Sequence, residues 1–269
     1  MAVPPVNGVI LFSGFWSRCL THYPTSPMVS AMQWDIIIQQ YPEDVETIQQ
    51  ARDIRQRVTH RIQGLDIPLL AAPLEHDTIG DLIPVETLGA VCREVWKEVL
   101  PAAPEVDFEE ALLAALSGSE IPGMSPEEGE EALRIVLGAV VTGYFRRLRE
   151  LNETIIPETH LEGSCPFCSS SARVGFDSES GRTLVCSLCA HQWQVPRVRC
   201  PFCGNRDHTT LGYFESEEIN GVRVYYCLEC KHYIKVIDTR IRDVSDAETG
   251  DVLTLALDER ARQEGFLEP

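Results

Sequence analysis

The sequence predicts an α+β protein in which an N-terminal helical domain precedes two small cysteine-rich modules and a C-terminal helix. Three observations support this prediction. Apolar residues recur at helical spacing in the first half, eight of the ten cysteines lie between residues 165 and 230, and a charged segment of helical character ends the chain. The predicted divisions are an extension at 1–27, a helical domain at 28–158, a first module at 159–197, a second module at 198–240 and a helical tail at 241–269.

The first 27 residues lack the basic start, the unbroken apolar run and the small-residue cleavage site of a secretory signal. We expect a disordered extension, and the alternative is a start of translation at Met28 or Met32. No apolar run reaches the length of about 18 residues that a membrane-spanning helix needs, so no span is predicted.

Four helices are predicted in the helical domain. The first follows Tyr41–Asp44, whose acidic residues suit the positive end of a helix dipole, and ends at Gly64. The second is marked by apolar residues at helical spacing between Val85 and Val99. The third begins at Asp107, a residue type that caps helix N-termini through its side chain.

The fourth helix has the clearest start signal. Ser125 is followed by Pro126, and Glu128 occupies the position of the capping-box carboxylate. Its broad apolar face between Leu133 and Leu148 predicts a buried, central helix. We interpret the arginines within 146–149 as a solvated helix end that matches the dipole, and the alternative is a docking patch.

The cysteines predict two metal sites. A Cys-x-x-Cys turn brings two thiolates within reach of one ion, and two such turns complete a tetrahedral shell that suits zinc or iron. The alternative, a disulfide framework, is typical of short secreted domains, and no secretory signal is present here, so a reducing cytoplasm is expected. The predicted metal ligands are Cys165, Cys168, Cys186, Cys189, Cys200, Cys203, Cys227 and Cys230.

The spacing of the pairs favours sequential grouping. Seventeen residues separate Cys168 from Cys186 and twenty-three separate Cys203 from Cys227, and either gap can hold a hairpin that returns the chain to its first turn. Only ten residues separate Cys189 from Cys200, which suits a strand and a linker between modules. An interleaved cross-brace is the alternative. Strands are expected at 182–185, 191–195 and 222–226.

The residue after the second cysteine of each turn needs a positive φ, which glycine adopts without strain. Gly204 meets this requirement, whereas Ser169, Ala190 and Lys231 occupy the other three positions and predict less ideal turns. Four thiolates leave no open position for substrate or water, so a hydrolytic site is not predicted. The sequence contains no phosphate-binding glycine loop or nucleophile elbow, and we predict that the protein is not an enzyme.

The formal net charge of −18 argues against binding to nucleic acid, as does the near balance of acidic and basic residues across 165–235. Basic groups in this segment are expected to offset the thiolate charge from around the ligands. We predict such supporting roles for Gly204, Trp193, Arg199 and Lys231.

The cysteine-rich region resembles one specific family, the formate dehydrogenase accessory proteins of the FdhE type. The residues that carry the resemblance are Cys165-Pro-Phe-Cys168, Leu184-Val-Cys-Ser-Leu-Cys189, Trp193, Val198-Arg-Cys-Pro-Phe-Cys-Gly204, Cys227-Leu-Glu-Cys-Lys-His-Tyr-Ile-Lys235, Leu253–Glu259 and Gly265-Phe266. Ser169 departs from the glycine expected in this family, and residues 1–27 have no counterpart in it.

The resemblance implies two rubredoxin-like or zinc-ribbon modules, each holding one metal ion, with iron favoured and zinc accepted by the same ligands. It also implies a cytoplasmic, non-catalytic maturation factor or chaperone. Its partner would be the catalytic subunit of a molybdenum or tungsten formate dehydrogenase. Two rival functions are a rubredoxin-like electron carrier and, disfavoured by charge, a nucleic-acid-binding zinc ribbon.

Overall fold

The computed structural model describes residues 31–74, 83–100, 105–117, 119, 121, 130–244 and 246–269. The described residues fall into two compact units, one ending at Thr154 and one formed by Ile155–Pro269. Within these ranges, no helix combines the length and the apolar character needed to cross a membrane. The predictions for residues 1–27, and for the start of the fourth helix at 125–128, lie outside the described residues.

The first unit is helical. Its helices are α1 (Ala31–Gln40), α2 (Val45–Gln63), α3 (Val85–Val99), α4 (Phe108–Ser117) and α5 (Glu130–Leu151). A short 3-10 turn at Pro42–Asp44 leads into α2, and the helix ends at Gly64 as predicted. Asp107 caps α4, because its Oδ1 accepts a hydrogen bond of 3.0 Å from the backbone N–H of Glu110.

Helix α5 lies at the centre of this unit. The apolar residues of its predicted face between Leu133 and Leu148 are buried, and α5 packs against α2, α3 and α4. Helix α5 approaches α2 closely at Gly143, since a Cβ atom on this residue would lie 3.3 Å from the side chain of Val58. The sequence analysis placed the arginines within 146–149 at a solvated helix end. This prediction was wrong for Arg146, which is only 7% exposed. Cys92 of α3 is also fully buried, in accord with its place on an apolar helix face.

The second unit contains one six-stranded sheet. Its strands are β1 (Ala172–Ser178), β2 (Gly181–Cys186), β3 (Gln192–Val195), β4 (Leu211–Glu215), β5 (Val222–Cys227) and β6 (Tyr233–Asp238). The strand order is β3-β2-β1-β6-β5-β4, so the first three strands and the last three form two antiparallel ribbons. The ribbons join through the parallel pair β1 and β6, in which Val174 is opposite Lys235 and Phe176 is opposite Ile237.

Two short helices, α6 (Ala247–Val252) and α7 (Leu255–Gln263), complete this unit. Asp246 caps α6 through a hydrogen bond of 2.8 Å from the backbone N–H of Thr249. Helix α6 packs on β1, and the tail returns to the sheet where the N–H of Tyr233 donates to the carbonyl of Leu267 at 3.2 Å. The tail thus packs on the sheet of its own unit.

The predicted α+β class is confirmed: helices come first, and the cysteines follow in a strand-rich second half with helices at its end. The predicted strands at 182–185, 191–195 and 222–226 correspond to β2, β3 and β5, whereas β1, β4 and β6 were not individually predicted. The boundaries at 159, 198 and 241 stay predictions, and strands from both predicted modules share one sheet.

Candidate metal centres

The eight cysteines of the four turns lie in two groups of four. Cys165, Cys168, Cys186 and Cys189 form the first group, and Cys200, Cys203, Cys227 and Cys230 form the second. Within each group all four sulfur atoms lie within 4.8 Å of one another. The grouping follows the chain order, unlike the interleaved alternative.

The sulfur spacing fits a four-thiolate metal shell. Four sulfurs at about 2.3 Å from a central zinc or iron would lie about 3.8 Å apart along the edges of a tetrahedron. In the first group Cys168 Sγ lies 3.5 Å from Cys186 Sγ and 3.6 Å from Cys189 Sγ. In the second group the Cys203–Cys227 distance is 3.7 Å. A disulfide needs about 2.0 Å, so the geometry matches a metal site and not a disulfide.

All four turns share one backbone arrangement. In each turn the N–H of the first cysteine donates to the carbonyl five residues later, at 2.8–3.1 Å. The N–H four residues after the first cysteine donates back to that cysteine's carbonyl, at 2.9–3.2 Å. These paired bonds close each turn and point both cysteine side chains to the same side, so the local sequence prepares each half of a shell before the halves meet.

The same arrangement places one left-handed residue in every turn. Gly204 has a φ of 76°, and Ser169, Ala190 and Lys231 have φ values of 57°, 57° and 64°. Among the described residues these three are the non-glycine positions with positive φ. A non-glycine residue in this region carries strain of about 1–2 kcal/mol. Each of these three strained residues lies at the position that closes a cysteine turn.

Strand ends deliver the second turn of each shell. Cys186 is the last residue of β2 and Cys227 is the last residue of β5, so the two ribbons present equivalent cysteines at equivalent places. Backbone N–H groups approach the sulfur of Cys186, from Leu188 and Cys189 at 3.4 Å each. Such bonds stabilise a thiolate, and a thiolate is the form that binds metal.

The residues predicted to support the metal ligands differ in their burial and in their contacts. Trp193 is buried, its indole Nε1 donates to the carbonyl of Glu162 at 2.9 Å, and its ring stacks on His191. The Arg199 guanidinium lies over Gly204, where a Cβ atom would come within 3.2 Å of it. Lys231 is exposed and contributes the left-handed backbone of its turn. Their effect on a bound metal stays a prediction.

Asn205 is a further contributor that the sequence analysis did not identify. Its side-chain Nδ2 donates to Thr210 Oγ1 at 2.7 Å and lies 3.5 Å from Cys227 Sγ. The signal in the sequence is weak, because a polar residue directly after Gly204 is common in any turn.

The two groups differ in exposure. All four cysteines of the first group are buried. In the second group Cys200 and Cys227 are buried, Cys230 is partly exposed and Cys203 is exposed. The second shell therefore meets solvent on one side, whereas the first is enclosed by protein.

The thiols of the first group ionise unequally. Burial, together with hydrogen bonding among the sulfurs, raises the pKa of Cys168 and Cys189 well above the usual thiol value. Burial also opposes ionisation of Cys186, but hydrogen bonds donated by the neighbouring thiols and the Cys189 N–H outweigh it and hold the pKa of Cys186 well below that value. The surroundings of Cys186 therefore favour its thiolate over those of Cys168 and Cys189.

Cys227 has the corresponding role in the second group. Burial opposes its ionisation, but hydrogen bonds from the Cys230 N–H and the Asn205 side chain lower the pKa of Cys227 to about 7. Burial raises the pKa of Cys200. Since thiolates bind metal and thiols do not, an ion must displace protons from the remaining sulfurs.

Four thiolates around one ion leave no open position, so neither group is built to hold a substrate against a metal. Such shells stabilise a fold or exchange electrons. Iron and zinc both fit these donors, and within the described chain neither group includes a histidine.

Comparison with known proteins finds relatives that carry the name FdhE. No protein-family model matches the chain. A protein named "Protein FdhE homolog" from Aquifex aeolicus is 34% identical over 115 residues, covering 41% of this chain and 41% of the relative. One of the same name from Pseudomonas aeruginosa is 32% identical over 148 residues, covering 51% of this chain and 47% of the relative. The matched parts are thus less than half the length of these two relatives.

A third relative extends the match, and a crystal structure shares the fold. The "Protein FdhE homolog" of Shewanella oneidensis is 35% identical over 211 residues, covering 69% of this chain and 68% of the relative. The crystal structure of the FdhE protein from Pseudomonas aeruginosa aligns with a TM-score of 0.56 at 22% identity, over 88% of this chain and 92% of that one. The family resemblance read from the cysteine turns is thereby confirmed, and the chain belongs to the FdhE family.

Proposed function

We propose that this protein is a non-catalytic accessory factor for the maturation of a formate dehydrogenase. It acts in the cytoplasm on the catalytic subunit, whose active site holds molybdenum or tungsten, and its four-cysteine modules make the contact. The observation that carries the proposal is the pair of closed thiolate shells in an FdhE-family chain. A closed shell can shape a binding surface or carry an electron, but it offers no place for a substrate to react.

Iron is the metal we propose for both shells. The eight thiolates supply the donor set of a rubredoxin-type iron site, and the sulfur spacing suits metal bonds of about 2.3 Å. When bound, such an ion supplies one-electron chemistry. The chain's own contribution is to hold four sulfurs in place, to lower the pKa of Cys186 and Cys227, and to keep water from the first shell.

A second candidate function is that of an electron carrier, because Cys203 brings one sulfur of the second shell to the surface. An electron can pass between proteins through an exposed ligand of this kind. This function requires repeated turnover with a redox partner, whereas a maturation factor requires a stable complex with its client.

The test is anaerobic affinity purification of the protein from its native host, with bound proteins identified by mass spectrometry. The proposal expects recovery of a formate dehydrogenase catalytic subunit. Recovery should be lost in the Cys186→Ser, Cys189→Ser double variant and kept in Ser187→Ala, which changes the same turn without touching a sulfur. Circular dichroism of both variants shows whether the helical unit is intact.

Three other outcomes would contradict the proposal. Recovery of nucleic acid alone would favour a nucleic-acid-binding zinc ribbon. Recovery of an unrelated redox enzyme, together with a reversible one-electron wave and turnover, would favour the electron carrier. Equal recovery of the catalytic subunit by both variants would show that the cysteine turns do not make the contact.

A further inference from the structure

A cavity lies beside the second group of cysteines. It opens to solvent and is walled by residues of β2 to β6 together with the turn that begins at Cys200. The sulfur-bearing residues Cys200 and Cys227 form part of its wall.

Three arginines line this cavity, although the chain as a whole carries a net charge of −18. Arg182 donates to both carboxylate oxygens of Asp177, at 3.0 and 2.9 Å, and its guanidinium lies 3.9 Å from the ring centre of Tyr225. Arg197 lies 3.4 Å from the same carboxylate. Two arginines therefore share one acidic partner, so one of the two positive charges has no carboxylate of its own.

Arg199 adds a charge without any acidic partner among the described residues. Its Nε is buried and has no hydrogen-bond partner, and the same holds for Nδ1 of His232, another lining residue. Buried polar nitrogens in folded proteins are nearly always hydrogen-bonded. Two such nitrogens on the wall of one arginine-lined cavity are a reason for a hydrogen-bonding ligand to enter it.

Aromatic side chains supply the rest of the wall. The rings of Phe202, Tyr225 and Tyr226 line the cavity, and Phe202 lies 5.4 Å from His232, ring centre to ring centre. Flat apolar surface beside guanidinium groups suits a ligand that has a flat apolar part and a charged oxygen-bearing part.

We propose that this cavity binds an oxyanion, carboxylate or phosphate, carried on a flat apolar body. Arg199 and the shared charge of Arg182 and Arg197 neutralise the anion, His232 hydrogen-bonds to it, and the aromatic rings contact the apolar body. The site goes beyond the proposed maturation role and does not depend on it. Its position places a bound anion against the exposed metal shell.

The test is a titration of the zinc-loaded protein, followed by ¹⁵N NMR of the backbone and of the arginine Nε–H groups. The probes are benzoate, its neutral analogue benzamide, phenyl phosphate and inorganic phosphate. We expect benzoate or phenyl phosphate to bind at least tenfold more tightly than benzamide, with a shift of the Arg199 Nε–H signal. The tighter of the two anions identifies the oxyanion.

Three variants test the assignment of residues. Arg199→Gln should weaken binding of the preferred anion about tenfold, and Arg197→Gln, whose exposed side chain tolerates substitution, should weaken it a few-fold. Arg206→Gln is the matched control, because Arg206 is exposed in the same turn and does not line the cavity. Bound zinc per chain, measured for each variant, shows that the shells are intact.

Several results would overturn the proposal. Binding of benzamide as tight as benzoate would show an apolar pocket without anion recognition. Absence of saturable binding by any anion would show that water alone serves the buried nitrogens. If Arg199→Gln lowered zinc retention at the second shell but left anion binding unchanged, Arg199 would serve only to offset thiolate charge.

Discussion

The ammonium nitrogen of Lys235 lies 2.6 Å from Oδ2 of Asp258, and both side chains are almost completely buried. Lys235 belongs to β6 and Asp258 to α7, so the pair fastens the tail to the sheet. Asp251 also contacts the ammonium, and the hydroxyl of Tyr233 donates to the other oxygen of Asp258 at 2.8 Å. Because the sheet carries both cysteine groups, this polar cluster secures the scaffold of the metal sites.

Removal of Asp258 should destabilise the protein strongly. Breaking a buried ion pair from one side leaves the other charge short of partners, at a cost of about 3–5 kcal/mol. We expect Asp258→Ala to lower the free energy of unfolding by about 3 kcal/mol, since Asp251 still contacts Lys235. Urea denaturation of the metal-loaded protein, followed by tryptophan fluorescence, measures this loss.

The control for Asp258→Ala is an exposed ion pair at the end of α7. Glu264 pairs with Arg260 at 3.0 Å, and both side chains are more than a third exposed. Exposed pairs of this kind contribute about 0–1 kcal/mol. Glu264→Ala should therefore leave the unfolding midpoint nearly unchanged, and equal losses in both variants would refute the importance of burial for the Lys235 pair.

The buried Lys235 should make the stability of the protein sensitive to alkali. Burial lowers the pKa of Lys235, but the carboxylates of Asp251 and Asp258 outweigh it and raise the pKa above the usual lysine value. A raised lysine pKa stabilises the fold fully below the unfolded value of about 10.4, and the stabilisation is lost as pH rises through the folded value.

The pKa shift of Asp258 has the opposite direction to that of an ordinary ion-paired carboxylate. Burial raises the pKa of Asp258 despite the nearby Lys235, so the folded chain binds this proton at higher pH than the unfolded chain does. Protonation of Asp258 therefore causes no loss of stability in acid. Unfolding midpoints between pH 7 and 11 should fall more steeply for the natural chain than for a Lys235→Met, Asp258→Leu double variant. Parallel curves would contradict this account.

Backbone strain at the cysteine turns can be tested by exchange of glycine and alanine. Gly204→Ala forces a side chain into the left-handed region beside Arg199 and should destabilise the second shell by about 1 kcal/mol. Ala190→Gly relieves the same strain in the first shell, and the extra freedom of the unfolded glycine offsets part of the gain. We expect a net stabilisation of up to about 1 kcal/mol.

Thermal denaturation of the zinc-loaded variants measures both effects. Gly64→Ala is the control, because Gly64 has a φ of −86° and room for a Cβ atom. That variant should be neutral or slightly stabilising. Stabilisation by Gly204→Ala would show that the turn does not hold its left-handed geometry in solution.

The exposure of Cys203 predicts unequal reactivity of the two shells. A thiolate at the surface can be reached by chelators and alkylating reagents, whereas the four buried sulfurs of the first shell cannot be reached without local opening. Treatment with iodoacetamide and a chelator should release one metal ion well before the other. Peptide mass spectrometry should find the early label on the cysteines of the second group.

The matched comparison is Cys203 against its counterpart Cys168, the second cysteine of the first turn in the other group. Label on Cys168 at the same rate as on Cys203 would mean that the enclosure of the first shell is not maintained in solution.

Local spacing explains what the sequence could predict. The cysteine turns, their left-handed positions and the ends of α2, α3 and α4 depend on residues that are neighbours in the chain. The pairing of β1 with β6 depends on contacts between residues about sixty positions apart, and no local pattern announces it. The sequence therefore did not predict that strands of both modules would share one sheet.

Charged residues were the other source of missed structure. Arginine, lysine and aspartate are usually found at the surface, yet Arg146, Lys235 and Asp258 are buried. Sequence periodicity does not predict which charged residues will be buried against a tertiary partner. The same reason hid the arginine-lined cavity, because Arg182 lies on β2 whereas Arg197 and Arg199 follow β3, and only the folded sheet brings them to one cavity.

The measurement that tests the central claim most directly is the metal content of anaerobically purified protein, for the natural chain and for Cys186→Ser and Cys227→Ser. Two independent four-thiolate shells predict two ions per natural chain and one ion per variant, with iron or zinc bound in each remaining shell. Fewer than two ions in the natural chain, with cysteines recovered as disulfides, or loss of both ions from a single substitution, would contradict it.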